Sequence, residues 1–250
     1  MIVYSNSCSF GAPQGHETYG NVVARHHKAF FKNAGKAGAC NRRIIRTTLR
    51  DLIELKEQGD DIIALIGLTF LSRTELWRSD LNPVDNDGHF HVLSIKHDKI
   101  DWSTKGLIDT MVPNIHELAE PSVQSYYKEW LTHYDREGTM TNLLTDILML
   151  TGWLKAQNIQ YVIFSGPDVF EGDDVIGYDA PFLSSLVEQV KQDKGILNPW
   201  GFSFGTFALE QGYKPKDYDV YGKHGHPGEL AHKAFGTFLC EVLEIERENK

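Results

Sequence analysis

A serine near the start of the 250-residue chain and a histidine near its end are the side chains best suited to chemistry. Ser7 follows the first apolar run, inside the small-residue segment SNSCSFG at 5–11. A hydroxyl in such a turn becomes a nucleophile when a neighbouring base takes its proton, although a serine there can also simply cap a helix. His226 lies in the segment HGHPG at 224–228, and imidazole is the most frequent acceptor of that proton.

Metal binding and thiol chemistry are the alternatives at these two segments. His224 and His226 could bind a metal together with His89 and His91, but spaced histidine pairs without a recognised cysteine or carboxylate pattern are weak evidence for a site. Cys8 is the stronger nucleophile by type, but a cysteine beside a buried strand more often packs as a small apolar residue. We therefore expect neither a metal nor another cofactor.

Strands that alternate with helices must position these side chains. Apolar runs predict strands at 2–4, 62–68 and 161–164, and helical periodicity predicts helices at 19–31 (ending in a short second strand), 41–58, 121–134, 141–157, 180–191 and 227–243. This alternation predicts βαβ units and a parallel sheet, whose sites lie at the carboxyl ends of the strands. Ser7 falls at one such end.

Composition narrows the class of protein. Lys and Arg total 25 against 34 Asp and Glu, a net charge of −9, so we expect no nucleic-acid partner. Three cysteines are too few for a disulfide framework. The N-terminus lacks the pattern of a signal peptide and no run approaches 18 apolar residues, so we expect a cytoplasmic protein without a membrane span. We expect one domain over 1–250, with an insertion at about 70–125 that holds a possible hairpin around the turn NDG at 86–88.

Four segments resemble the motif blocks of the SGNH, or GDSL-type, hydrolases. SNSCSFG resembles G-D-S-x-T/S-x-G, with Ser7 on the nucleophile, and NAGKAG at 33–38 resembles N-x-G-x-x-G, with Gly38 on the second glycine. GLTF at 67–70 is similar to G-x-N-D, but Thr69 replaces the asparagine. KHGHP at 223–227 is similar to D-x-x-H-P, with His226 matched and Lys223 in place of the aspartate.

The resemblance implies a three-layer α/β/α fold with a flavodoxin-like parallel sheet of about five strands. It also implies a serine esterase that cleaves acyl or acetyl esters of small molecules, lipids or carbohydrates. Ser7 would attack the carbonyl and His226 would act as its base. The oxyanion hole would comprise the N–H groups of Ser7 and Gly38, with the hydroxyl of Thr69 as a further donor.

The departures from the motifs define further candidate residues. With Lys223 in the aspartate position, Asp219 or Asp217 could orient the histidine, or the site could be a Ser-His dyad; we take Asp219 as the candidate acid. Arg73 could supply a charged oxyanion donor, or it could form a surface ion pair with Glu75. Trp77, in the insertion, could line a substrate-binding surface.

Two other functions fit the same segments. One is an SGNH-fold binding or structural protein that has lost catalysis, because two of four expected polar groups are replaced. The segments GLTFLSRTELW and KHGHPG also resemble short SGNH-like proteins of tailed bacteriophages, which would place the protein in a virion or the host cytoplasm. The other is a flavodoxin-like nucleotide or phosphate binder that uses the 5–11 loop as a phosphate cradle.

Overall fold

A computed structural model describes residues 1–13, 15–71, 73–77, 90–93, 125–126, 129–130, 133, 135–167, 181–198, 200–213 and 226–248. Its strands are β1 (Ile2–Asn6), β2 (Phe30–Asn33), β3 (Ile62–Leu68), β4 (Thr74–Trp77), β5 (Phe90–Leu93) and β6 (Gln160–Ser165). Its helices are α1 (Tyr19–His26), α2 (Asn41–Glu57), α3 (Arg136–Ala156), α4 (Pro181–Gln192), α5 (Phe204–Glu210) and α6 (Glu229–Glu248).

The central sheet is parallel and has the strand order β2-β1-β3-β6. All seven residues of β3 are buried, as expected for an apolar strand covered on both faces. The chain moves from β1 to β2 in one direction and then crosses β1 to reach β3. Because parallel crossovers are right-handed, this reversal puts α1 and α2 on opposite faces of the sheet.

The two helical layers follow from that reversal. On one face α1 packs along α6, and α5 contacts α6; on the other α2 contacts α3, and α3 contacts α4. The expected three-layer α/β/α fold is thereby confirmed. The expected fifth strand is reduced to two isolated parallel bridges on β6, Ile163 with Ile196 and Ser165 with Ser203, so the described residues form four full strands in this sheet.

The region predicted to be an insertion contributes a separate antiparallel pair of strands, β4 with β5. Leu76 lies opposite His91 and Trp77 opposite Phe90, so the segments on either side of the predicted turn pair antiparallel. The turn at 86–88 and the residues from 94 to 124 lie outside the described residues, and the turn itself stays a prediction. None of the described helices is both long and apolar enough to cross a membrane.

Asn6, the last residue of β1, is fixed to helix α2 by its side-chain amide. Its Nδ2 donates to the carbonyl oxygen of Ile44 at 2.9 Å, to Thr47 Oγ1 at 2.8 Å and to Thr48 Oγ1 at 3.0 Å. Asn6, Thr47 and Thr48 are buried, so the amide hydrogens compensate here for hydration that these groups lose on folding. Asn6, which replaces the motif aspartate, therefore acts as a hydrogen-bond donor. An ionised carboxylate at this position could not donate.

Asn6→Asp should lower the free energy of unfolding by about 3 kcal/mol, because a buried carboxylate would face the Ile44 carbonyl without a donor. Urea unfolding at pH 7 measures this loss. The matched control is Asn21→Asp: Asn21 uses only Oδ1, as an acceptor from Thr18 at the start of α1, so the change should be neutral or slightly stabilising. Equal losses in both variants would contradict the role assigned to the Asn6 amide.

Candidate active site

Ser7 lies at the carboxyl end of β1, directly beside β3. A Cβ added at Gly67 would lie only 2.9 Å from Ser7 Cβ, which shows how closely the two strands bring their backbones together here. Ser7 is 1% exposed, and its hydroxyl donates to the carbonyl oxygen of Cys8 at 3.1 Å. The nucleophile candidate is thus held inward in this structure, and Cys8 beside it is fully buried, as expected for a packing residue.

Residues 33–38, at the end of β2 and directly after it, are hydrogen-bonded at three points to residues 5–11, which we call the Ser7 loop. The N–H of Ala34 donates to the Ser5 carbonyl at 2.8 Å, and the N–H of Lys36 donates to the Ser7 carbonyl at 2.9 Å. Asn33 Nδ2 donates to the Gly11 carbonyl at 3.0 Å. These bonds bring the first two motif-like segments together, and Gly38 follows in the same segment with a φ of +78°. Glycine adopts that conformation without strain.

Thr69 is held at the carboxyl end of β3 by Asn41, the first residue of α2. Thr69 N–H donates to Asn41 Oδ1 at 2.7 Å, and Asn41 Nδ2 donates to the Thr69 carbonyl at 2.8 Å. The amide thus satisfies both backbone groups of a fully buried residue. This clamp sets the position of the candidate oxyanion donor relative to the Gly38 segment.

The side chain of Arg73 turns toward Thr69 rather than toward Glu75. Its Nη1 donates to Thr69 Oγ1 at 3.0 Å and to the Ala39 carbonyl at 3.3 Å. Glu75 instead forms a two-bond ion pair with Arg46, at 2.8 and 3.1 Å. The alternative of an Arg73–Glu75 surface pair is therefore wrong, and a guanidinium charge lies beside the Thr69 hydroxyl.

Tyr19 extends its hydroxyl beneath the Ser7 loop. A Cβ added at Gly11 would lie 2.1 Å from Tyr19 Oη and 2.3 Å from Ser7 Oγ, so the two oxygens border the same small space. Burial raises the pKa of Tyr19 to about 12, and the neighbouring hydroxyls of Ser7 and Ser5 act in the opposite direction. The phenol is therefore a neutral, buried group whose oxygen lies close to the hydroxyl of the candidate nucleophile.

His232, in the first turns of α6, completes the buried layer under the Ser7 loop. Its Nδ1 accepts the N–H of Tyr19 at 3.3 Å, and its ring stacks on the Tyr19 ring with centroids 5.6 Å apart. Burial first, and then the charges of His16 and His226, lower the pKa of His232 to about 3. The imidazole is therefore neutral at physiological pH.

His226 lies just before α6, against the Ser7 loop. Its ring contacts the Phe10 ring with centroids 5.4 Å apart, and Phe10 is four residues from the end of β1. The structure thus brings the two ends of the chain together at one edge of the sheet. Asp217, Asp219 and Lys223 lie outside the described residues, as do His89 and His224 of the alternative metal site; of Trp77 only the backbone is described.

A small cleft opens next to Arg73, between the start of α2 and α3. Its volume is about 130 Å³, and its polar lining includes Asn41, Arg73 and Asp146, with the Trp130 ring at one side. Burial raises the pKa of Asp146, while the nearby Arg42 lowers it. Ligand pockets for larger molecules usually have volumes of roughly 300–1,000 Å³, so this cleft suits a short group.

The sequence analysis gave no role to Tyr19, His232 or Asn41, all of which contact the candidate site. For His232 a sequence pattern was available: it precedes Phe235 by three residues and Leu239 by seven, which places it on the buried face of the last helix. No comparable pattern identifies Tyr19 or Asn41, because their partners are distant in sequence.

Gly11→Ala should lower the free energy of unfolding by about 1–3 kcal/mol, since the added methyl would overlap the Tyr19 and Ser7 oxygens. The control is Gly152→Ala in α3, where an added Cβ meets nothing within 4 Å; it should stabilise the protein by up to about 1 kcal/mol. Chemical denaturation of both variants checks the difference, and an unchanged stability of Gly11→Ala would contradict the close packing described here.

The buried His232 should make the protein less stable in mild acid. Its folded pKa of about 3 lies below the value of 6.5 in the unfolded chain, so the unfolded state binds the extra proton as the pH falls. The contribution of His232 to the free energy of unfolding hardly changes above about pH 6.5. At pH 5 it has fallen by about 2 kcal/mol. Stability of the wild type and His232→Asn at pH 7.5 and 5 measures it, because asparagine keeps an acceptor for Tyr19 but does not titrate.

The exposed His133 provides the control, since His133→Asn should leave the pH dependence unchanged. His16 and His226, whose charges act on His232, are present in both the wild type and His232→Asn, so the comparison isolates His232. A His232→Asn variant with the full wild-type loss between pH 7.5 and 5 would show that the sensitivity comes from other groups.

Comparison with known proteins gives similarity at the level of structure alone. No protein-family model matches the chain, and no curated protein matches it. The chain is similar to a protein described as lipolytic and of the G-D-S-L family from Desulfitobacterium hafniense DCB-2, at 13% identity over 96% of this chain and 98% of that one, with a TM-score of 0.44.

Two further solved structures are similar over nearly their full length. One is an alpha/beta hydrolase from the metagenome of Lake Arreo, Spain, at 12% identity, covering 97% of this chain and 94% of that one, with a TM-score of 0.44. The other is a catalytic mutant of an acetylxylan esterase from Geobacillus stearothermophilus, at 10% identity, covering 97% and 93%, with a TM-score of 0.37. At this level of similarity, the activity must be argued from the residues of the chain itself.

Proposed function

We propose that the protein is a carboxylic ester hydrolase with Ser7 as nucleophile and His226 as general base. The observation that carries the proposal is the contact between the His226 ring and Phe10 of the Ser7 loop. Phe10 and His226, 216 positions apart in the chain, meet at the carboxyl end of a parallel sheet, where such folds place their sites. Acyl transfer needs at least a nucleophile and a general base, and a hydroxyl and an imidazole at that edge can fill these two roles.

The reaction would proceed in two halves. His226 takes the proton of Ser7 as Oγ bonds to the ester carbonyl carbon, and it then donates that proton to the leaving alcohol as the C–O bond breaks. Water, activated by the same imidazole, releases the acid and restores the serine. Since the Ser7 hydroxyl now donates to Cys8, it has to exchange that acceptor for His226 before attack.

The negative charge on the carbonyl oxygen would be stabilised by three donors. Two are the N–H groups of Ser7 and Gly38, and the third is the hydroxyl of Thr69. Because Thr69 Oγ1 already accepts from Arg73, its own hydrogen is left to donate, and the guanidinium charge makes it a better donor than an ordinary hydroxyl. We assign the orienting acid of His226 to Asp219, as the sequence suggested.

The cleft beside Arg73 reaches the candidate oxyanion donors through Arg73, and neither Ser7 nor His226 lines it. Its volume of about 130 Å³ would accommodate an acetyl group but not a long chain, and Arg42, Asn41 and Asp146 on its walls suit a hydroxyl-rich neighbour. We therefore propose acetyl esters of small molecules or carbohydrates as the first substrates to test, with lipid esters second.

Hydrolysis of p-nitrophenyl acetate at pH 8 should fall by on the order of 1,000-fold or more in Ser7→Ala and in His226→Ala, because nucleophile and base act as a unit. Asp219→Asn should reduce kcat with little change in KM, and Thr69→Val should reduce it by about 100-fold through loss of one oxyanion donor. An acetylated sugar is the second substrate, and a fluorophosphonate probe with peptide mass spectrometry identifies the reactive serine independently of substrate.

The matched controls are Ser9→Ala, from the same loop, and His133→Ala, an exposed histidine. Both should retain wild-type rates. Labelling of a serine other than Ser7, or full activity in Ser7→Ala, would refute the assignment.

A binding protein without catalysis is the second candidate function. It is favoured by one observation, the burial of Ser7 with its hydroxyl engaged by Cys8. This candidate predicts that the fluorophosphonate probe leaves Ser7 unmodified and that acetylated sugars are bound but not cleaved. Modification of Ser7 by the probe excludes it.

A further inference from the structure

Two histidines and a cysteine meet on the molecule far from Ser7. His26 ends α1, His27 follows it, and Cys240 lies on α6. The potential ligand atoms of these three side chains all lie within 4.8 Å of one another. A carboxylate lies next to this group: His26 Nε2 and Glu244 Oε1 are 2.8 Å apart, and Glu244 lies one helical turn after Cys240, on the same face of α6.

We propose that His26, His27 and Cys240 bind a zinc ion in a structural site, with the Glu244 carboxylate hydrogen-bonded to the His26 ring beside it. Imidazole nitrogen, thiolate sulfur and carboxylate oxygen are the three ligand types that Zn²⁺ uses in proteins. In a tetrahedral site with ordinary bond lengths, ligand atoms are about 3.3–3.6 Å apart. The three potential ligand atoms lie within 4.8 Å of one another, so the side chains have to approach by up to about 1.5 Å to form the site.

The electrostatic surroundings favour a cation at this point. The two histidines lie at the C-terminal end of α1, where the helix dipole is negative. The carboxylates of Glu241 and Glu244 lie beside Cys240 on α6 and add negative charge at the same point. A zinc ion would bind the sulfur as thiolate, with the thiol proton released to solvent.

The position of the cluster indicates a structural role and not a catalytic one. Along α1 and α6, Tyr19 meets His232, Val22 meets Gly236 and His26 meets Glu244, so the two helices run parallel. His26 lies seven residues beyond Tyr19, about 10 Å along the helix from the Ser7 layer. A metal bound there would join the far ends of the two helices whose near ends carry Tyr19 and His226.

Zinc binding to the full chain, prepared with reductant and without a histidine tag, tests the proposal. After chelator treatment and re-equilibration with zinc sulfate, one zinc per chain should survive gel filtration. Competition with a chromophoric chelator should show at least tenfold weaker binding in His26→Gln and in Cys240→Ala. The thermal midpoint should rise by about 5 °C or more when zinc exceeds its Kd a hundredfold.

Glu241→Gln is the control, because it removes a negative charge next to Cys240 without removing a ligand; its affinity should stay within about threefold of the wild type. Cobalt substitution supplies a signature of sulfur ligation, a thiolate charge-transfer band that Cys240→Ala should abolish. Failure to retain zinc, or wild-type affinity in both His26→Gln and Cys240→Ala, would overturn the site. His26 is exposed, so its variant tests the site even where the buried Cys240 variant is unstable. None of these outcomes depends on esterase activity.

Discussion

The position of the carboxyl end of β1 is the constraint on which the rest of the candidate site depends. β1 is paired on both edges, with β2 and β3, so its direction is fixed by two ladders of hydrogen bonds. Asn6 then anchors the last residue to α2. The next residue is Ser7, and the segments after β2 and β3 reach it because parallel strands end at the same edge. Sheet topology alone therefore predicts a candidate site at this edge, independently of any sequence motif.

Beneath that edge the chain buries polar groups that an apolar core would not need. Among the described residues, Asn6 Oδ1, Ser165 Oγ and His232 Nε2 are buried without a hydrogen-bond partner. Such groups cost stability, and the neutral state of the His232 ring shows that the fold avoids the larger cost of a buried charge. The cost is offset by aromatic packing: Phe204 stacks on Phe235 at 4.4 Å, and both rings contact the Tyr19–His232 pair. Buried polar groups without hydrogen-bond partners beside a candidate nucleophile are typical of functional sites, where local rules of stability are broken to position side chains.

The sequence was sufficient for the α/β class and for most elements, because buried strands and amphipathic helices carry their periodicity locally. β3 was predicted with its observed bounds, and α2 within one residue. The short helix α5 was missed, since seven residues carry too little periodicity, and the fifth strand was overestimated because only bridges form there. Contacts such as Asn41 with Thr69, or Tyr19 with Ser7, join residues without any local pattern. These contacts depend on how the helical layers pack on the sheet. The spacing of residues along one sequence gives no information about that packing.

The departures from the SGNH motifs have a coherent physical explanation when their partners are considered. Asparagine in place of the motif aspartate at position 6 reverses the direction of hydrogen bonding, and the chain supplies three acceptors on α2 to match it. Threonine in place of the motif asparagine at position 69 shortens the donor, and Arg73 brings a positive charge to the same oxygen. An oxyanion responds to the field at its position and not to the identity of the residue that produces it. A buried threonine hydroxyl polarised by a guanidinium can therefore donate to an oxyanion in place of an amide N–H. For this reason these substitutions alone do not argue against a catalytic site.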